Sequence, residues 1–359
     1  MSIDRDIVLI TGVTGKIGFR LSEKLTDYFQ VVGFDVFLSN YVPGVDVIGV
    51  DISSEESIDD ALNVVSEKYG RKIASVIHLA SYFNPMGGNW SYYQKTTIEG
   101  TEKLFRGLRK HNFEVEQFVF LSTLHVHASC KSGDKIDENS PIFPKWNYPK
   151  SKVLTEDMIH RMQGDIPSVI FRVGGVYDNK CHCPALSNQI QRIYENRMDG
   201  HIFTGNIHHG DSYIHIDDLT EAVCIAINKR KELPHDLVLL AGEDEVYSYD
   251  RLQREIAKSL FDKDWKTFSI PKGVAKLALW IQNKVPIFSR SFVQPWMIDI
   301  ADDHFEIDSS RIKKVLGWSP KHKLIDIIPY WVEQLVSDPI SWYEENNLKP
   351  REKIAKELL

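Results

Sequence analysis

The sequence predicts an α/β protein built on a doubly wound parallel sheet, with a smaller mixed subdomain behind it. Three observations predict it. Short Val-, Ile- and Phe-rich runs alternate with helix-period segments through the first half. A glycine-rich turn, TGVTGKIG, follows the first run and opens a helix. After about Val176 the alternation loosens, and later helices are separated by Pro-containing loops. With 359 residues, 43% hydrophobic and 26% charged, the chain can bury a large core, which excludes wholesale disorder.

In order along the chain, Ile7–Ile10 is the first strand and Ile17–Phe29 the first helix. Strands follow at Val31–Phe34 and Val45–Val50, then an acidic amphipathic helix around Glu55–Lys68. Ala74–Leu79 and Gln117–Leu121 read as buried strands with a long helix near Tyr92–Lys110 between them. A further helix begins at Tyr148, and Ser168–Arg172 returns to the sheet. Right-handed crossovers then wind helices onto both faces. Residues 1–177 are expected as a dinucleotide-binding unit and 178–359 as a substrate-side subdomain. Within the latter, 212–242 returns to the main sheet through Asp236–Leu240. The segment Asp178–Asp211 reads as loop-rich. Helices are expected at Ser248–Leu260, Lys272–Lys284 and Leu324–Val336.

Composition narrows the function. A net charge of −7 with no Lys/Arg block argues against nucleic-acid binding. No run of about 18 apolar residues exists, since Lys276 breaks Gly273–Ile281, so no membrane helix is expected. The N-terminus runs straight into a strand with no signal-peptide pattern. Four cysteines are too few for a disulfide scaffold. A cytoplasmic chain with reduced thiols is expected.

The glycine turn carries the first chemistry. Gly12, Thr14 and Gly15, with the helix-opening Lys16, Ile17 and Gly18, form a cradle where backbone N–H groups and the positive end of a helix dipole meet a pyrophosphate. Asp35 ends the second strand, where a carboxylate accepts from a ribose 2′-hydroxyl and repels a 2′-phosphate. NAD is therefore expected over NADP. The second chemistry is Tyr148-Pro-Lys-Ser-Lys152, which puts a phenol and an ammonium on one helix face. A free phenol has a pKa near 10, and a neighbouring ammonium is expected to lower it toward a working base.

Together these motifs resemble the extended short-chain dehydrogenase/reductases, the superfamily of NAD-dependent epimerases and dehydratases on a Rossmann-type fold. The resemblance covers nearly the whole chain. It rests on Gly12/Gly15/Gly18, Asp35, Asp51-Ile52, His78-Leu79-Ala80-Ser81, the FVFLSTLHVHA run with Thr123, Tyr148/Lys152, FRVGGVYD, YIHIDDL and LGWSP. It implies that Tyr148 exchanges the proton, that Lys152 tunes it, and that Thr123 orients the substrate oxygen. It also implies that Asp51 and Ile52 flank the adenine, that Leu79, Ala80 and Ser81 lie by the cofactor phosphates or ribose, and that Lys152 holds the nicotinamide ribose. A homodimer through the Tyr92–Lys110 helix and the helix carrying Tyr148 is a further implication.

Departures bear on substrate. Thr97 stands where family members often carry Asn, though it can still hydrogen-bond. Gly175 replaces an Asn frequent in nucleotide-sugar enzymes. Asp211 stands where they often place a diphosphate-gripping Arg, and FVQPWMIDIADDHFEID is acidic where a second Arg is usual. These carboxylates are expected to repel a diphosphate. The C-terminal half is similar instead to the 3β-hydroxysteroid dehydrogenase and dihydroflavonol-reductase branch. There IPKGVAKLALWI, SFVQPWMI and a strand HFEID fit the layout, and Trp280, Phe288, Phe292, Trp296 and Met297 could line an apolar pocket. Cys181-His182-Cys183, with His201, His208, His209 and His215, lacks a usual zinc spacing, so no metal is expected. His78 reads as a packed residue. His125 and His127 follow Thr123 and could touch substrate. REKIAKELL reads as a short terminal helix.

The leading expectation is an NAD-dependent oxidoreductase interconverting a secondary alcohol and a ketone on a small or medium, partly apolar substrate. A nucleotide-sugar epimerase or dehydratase is the enzymatic alternative. A non-catalytic dinucleotide sensor is the alternative of another class, and the presence of Tyr148, Lys152 and Thr123 argues against it.

Overall fold

The computed structural model describes residues 5–38, 42–284 and 293–351. Among these residues seven strands make the main sheet: β1 (Ile7–Thr11), β2 (Gln30–Asp35), β3 (Asp46–Gly49), β4 (Lys72–His78), β5 (Phe118–Thr123), β6 (Ser168–Val173) and β7 (Asp236–Ala241). They lie in the order β7-β6-β5-β4-β1-β2-β3, with the two-residue strand Glu114–Val115 also paired to β4. Every pairing in this sheet is parallel. The order reverses between β1 and β4, so a ligand crevice opens at their carboxyl ends.

Strand alternation explains why the sheet is covered on both sides. Val8 and Ile10 of β1 face one core with Leu21 and Leu25 of helix α1 (Lys16–Leu25). Ile7 and Leu9 face the other core with Ile58 and Leu62 of α2 (Glu55–Tyr69) and Leu104 and Leu108 of α3 (Glu99–Lys110). Helix α4 (Asn147–Met162) adds Met158 and Ile159 to that second core. Each such side chain, fully buried, contributes about 1.5–3 kcal/mol. The expected single helix over Tyr92–Lys110 is interrupted: Tyr93–Ile98 forms a π-helical turn before α3 begins.

The expected loop over Asp178–Asp211 contains a helix, α5 (Pro184–Tyr194). Pro184 occupies its first turn, and Leu186, Ile190 and Ile193 recur at helical spacing on its buried face. These pack with Leu252 and Ile256 of α6 (Tyr249–Phe261) and with Trp331 and Leu335 of α7 (Leu324–Ser337), a core separate from those of the sheet. The buried Glu243 ties it together by accepting from Tyr177 Oη (2.9 Å), Tyr247 Oη (2.7 Å) and Leu324 N–H. The helix Lys272–Lys284 is present. The expected HFEID strand is not: it reduces to one bridge between Ile307 and Ile136, with single backbone hydrogen bonds to Cys130 and Gly210 on either side. The run SFVQPWMI lies partly outside the described residues, as does all of REKIAKELL except Arg351.

Candidate active site

The glycine turn is shaped by what a side chain would strike. Gly12 has a φ of +73°, and a Cβ there would lie 3.0 Å from Ala80 N. A Cβ on Gly18 would lie 2.4 Å from Gly12 O, so the helix seats against the turn only without one. No side chain caps α1, whose N-cap is Gly15; the first-turn amides of Lys16, Ile17 and Gly18 are available to an anion. Asp35 closes the turn. Its Oδ2 accepts Thr14 N–H (3.0 Å) and its Oδ1 accepts Phe37 N–H (3.1 Å), and each oxygen keeps a lone pair for a hydroxyl. Thr14 and Lys16 border a groove shared with Asp178 and His215.

Beneath the turn runs a buried hydrogen-bond chain. Thr101 Oγ1 donates to Thr97 O (2.5 Å), so its oxygen accepts from His78 Nε2–H (2.8 Å). His78 Nδ1 then accepts from Thr11 Oγ1–H (2.7 Å), and Thr11 Oγ1 accepts Leu79 N–H and Ala80 N–H. Burial pushes His78 down to about 3, keeping it neutral. Thr97 is fully buried, and its Oγ1 accepts Tyr82 N–H (3.0 Å). Ser81 is half-buried beside it. Just past the end of β3, Asp51 is exposed and its carboxylate accepts Ser53 N–H, while Ile52 is buried.

Lys152 ties α4 to β5 two residues before its last residue, Thr123, with Tyr148 one turn earlier on the helix. Lys152 is 3% exposed, and its Nζ donates to Leu121 O (2.8 Å), 4.6 Å from the Phe120 ring centroid and 5.6 Å from that of Tyr148. Burial lowers Lys152 to about 7. Thr123 is buried with its Oγ1 accepting His125 N–H (3.3 Å), leaving its O–H to donate. Tyr148 sits against Phe83 and Trp146 at 4.9 and 5.4 Å between ring centroids. Its phenol is raised above the usual value by burial and by Tyr93. The expected lowering by the ammonium is therefore not what this arrangement produces: desolvation outweighs it, and Nζ is directed to a carbonyl.

Next to Trp146 opens a cavity of about 330 Å³. Much of its lining is aromatic or aliphatic, Met297 included, but charged groups stand among them. Its wall carries His125, Lys145, Arg192, Asp211 and Asp303. His125 Nε2 meets Asp211 Oδ2 at 2.8 Å, and Lys145 Nζ meets Asp303 Oδ1 at 2.5 Å. Burial alone would lower His125, but the Asp211 charge and hydrogen bond hold it above its ordinary value. Lys145 thus compensates Asp303, and His125 compensates Asp211 while its imidazole is protonated, which offsets the repulsion expected there. His127 is buried and neutral, lowered to about 4 by desolvation and by Arg172, whose Nη1 donates to its Nε2 (3.1 Å).

Of the aromatic candidates, Trp280 is 59% exposed, Trp296 stacks on Trp146 (4.7 Å), and Met297 lines the cavity; Phe288 and Phe292 lie outside the described residues. Cys181 and Cys183 are buried in the second core, where burial raises both thiols, and His182 pairs with Asp178 and Glu345. His215, Asp217 and His322 approach within 4.8 Å of one another. Asp217 is already gripped by Arg20, and His215 Nδ1 accepts Asp217 N–H. Sequence reasoning missed Lys145, Trp146, Gln189 and Arg192. The helical spacing of Leu186, Ile190 and Ile193 could have placed Gln189 and Arg192 on one face.

Residues 8–242 match the family described as NAD dependent epimerase/dehydratase. The chain belongs to that family. It is 25% identical to the UDP-glucose 4-epimerase of Azospirillum brasilense over 364 aligned positions, 93% of this chain and 91% of that one. It is 26% identical over 163 residues to the N-acetyl-alpha-D-glucosaminyl-diphospho-ditrans,octacis-undecaprenol 4-epimerase of Escherichia coli O157:H7, covering 45% of each. In structure it is similar to the UDP-glucose 4-epimerase of Thermus thermophilus in complex with NAD, with a TM-score of 0.68, 18% identity, and 92% and 99% of the two chains covered. The UDP-glucuronic acid 4-epimerase of Bacillus cereus gives 0.69, 20%, 92% and 99%.

The protein is thus an enzyme of an NAD-dependent family, and its residues fit that cofactor. The uncapped α1 terminus and the side-chain-free Gly12 and Gly18 suit a pyrophosphate, and Asp35 offers acceptors to a ribose hydroxyl. Among the described residues no helix is long and apolar enough to cross a membrane.

Proposed function

We propose that the enzyme oxidises a secondary alcohol on a nucleotide-linked sugar and reduces the product again on the same molecule, as an epimerase or dehydratase does. The observation that carries this reading is the cavity beside Trp146, the ring that packs on Tyr148: within a largely aromatic and aliphatic wall it holds paired charges for which a purely apolar substrate has no use. The named activities of the relatives support it. NAD, bound in the glycine cradle, supplies the acceptor and donor of the carbon-bound hydrogen with its electron pair. Thr123 O–H holds the reacting oxygen. Tyr148 takes the carbinol proton in the oxidative half and returns it in the reductive half. Lys152 offers the phenolate a counter-charge and keeps the helix on β5 through Leu121 O.

The test incubates the NAD-loaded enzyme with UDP-glucose, UDP-N-acetylglucosamine and dTDP-glucose, following the sugar by proton NMR and reduced cofactor by absorbance. An altered sugar without net NADH is the expected result. NADH accumulating in step with a ketone would overturn it in favour of a net dehydrogenase, and conversion of none of the three would overturn it outright.

A further inference from the structure

The cavity wall carries a cation with nothing to balance it. Arg192 lines the wall from α5, and no hydrogen bond or ion pair reaches its guanidinium among the described residues; its Nε is buried without a partner. The carboxylates of the cavity wall are occupied. Asp211 holds His125, Asp303 holds Lys145, and Asp199, whose charge Arg192 feels, is gripped by Arg197 at 2.8 and 2.6 Å. Three residues earlier on the same helix face, Gln189 is 4% exposed, lines the same cavity, and has a buried Nε2 with no acceptor. Two buried donors without acceptors in one wall are costly unless a ligand satisfies them.

We infer that Arg192 and Gln189 grip the phosphoryl oxygens of the substrate, a task moved from the strand position now held by Asp211 to the face of α5. This rests on the nucleotide-sugar reading above and names the residues that give it purchase. A guanidinium suits the task because it presents paired N–H groups to paired oxygens, and the Gln amide adds a neutral donor beside it. Asp303 is paired with Lys145, and Asp211 with His125 while the imidazole is protonated, so neither then opposes the anion.

Isothermal titration of the NAD-loaded enzyme with UDP, inorganic pyrophosphate and uridine tests this. UDP and pyrophosphate should bind the native chain. UDP should bind Arg192→Met roughly ten- to a hundredfold more weakly, with partial recovery in Arg192→Lys and a smaller loss in Gln189→Leu. Uridine binding and NAD affinity should be unchanged, the latter confirming that the variants fold. Equal UDP affinity in native and Arg192→Met protein would overturn the inference while leaving the nucleotide-sugar reading standing if UDP-sugars are still converted. Failure of both UDP and pyrophosphate to bind the native enzyme would overturn the inference, and conversion of an uncharged alcohol with net NADH would then remove the reading as well.

Discussion

The glycine-turn cleft and the cavity beside Trp146 both lie past the carboxyl ends of sheet strands but are built on different plans. The cleft is made of neighbours in sequence. Gly12, Thr14, Gly15 and Gly18 sit on one turn, and Asp35 reaches back to it from the next strand. The cavity is made of strangers: His125 pairs with Asp211, Lys145 with Asp303, and Trp146 stacks on Trp296. The cleft presents backbone amides and uncompensated ends; the cavity presents charges already cancelled in pairs, save Arg192. A cofactor shared across a family can be held by fixed backbone geometry, whereas substrate choice resides in long-range side-chain pairs that change one at a time.

Tyr148 stands where the two regions meet, so Tyr148→Phe should produce the largest effect: turnover down roughly 10²–10⁴-fold with NAD affinity unchanged, read by steady-state kinetics and cofactor titration. Activity surviving that change would detach the chemistry from both regions. Asp35→Arg acts on the cleft alone. It should shift the ratio of NAD to NADP affinity by about tenfold or more toward NADP, with UDP binding unaltered. A third measurement acts on the cavity alone. Below the raised pKa of His125 the imidazolium cancels Asp211; above it Asp211 stands bare, with Asp303 still held by Lys145. UDP affinity should therefore fall as pH rises through that value, by about fivefold, and Asp211→Asn should flatten the profile. A flat profile in the native enzyme would mean that the pair does not guard the anion.

What is legible in the sequence follows the same division. Strands β1, β2, β4, β5 and β6 are readable because both faces of the sheet are buried, which writes continuous Val/Ile/Phe runs into the chain. The glycine turn is readable because its spacing is local. The interruption at Tyr93–Ile98 is not, since a π-helical turn inserts a residue without altering composition. Helix α5 hides behind Cys181, His182 and Cys183, whose side-chain chemistry stands out more than the periodic signal of Leu186, Ile190 and Ile193. Asp211 reads as a repulsive charge because its partner lies 86 residues away at His125. The direction of the Tyr148 shift is hidden because a sequence shows the neighbouring ammonium and not the desolvation around both groups.

The chain of hydroxyls and imidazole from Thr97 to Ala80 has a consequence for where protons travel. Each link has one donor facing one acceptor: Thr101 to a carbonyl at one end, two backbone amides into Thr11 at the other. Neither end holds an exchangeable acid, and a histidine that stays neutral to about pH 3 takes up no charge between them. The chain is an insulator, not a wire. It holds the backbone of Leu79 and Ala80 in place beside Gly12 without offering a route along which charge can move.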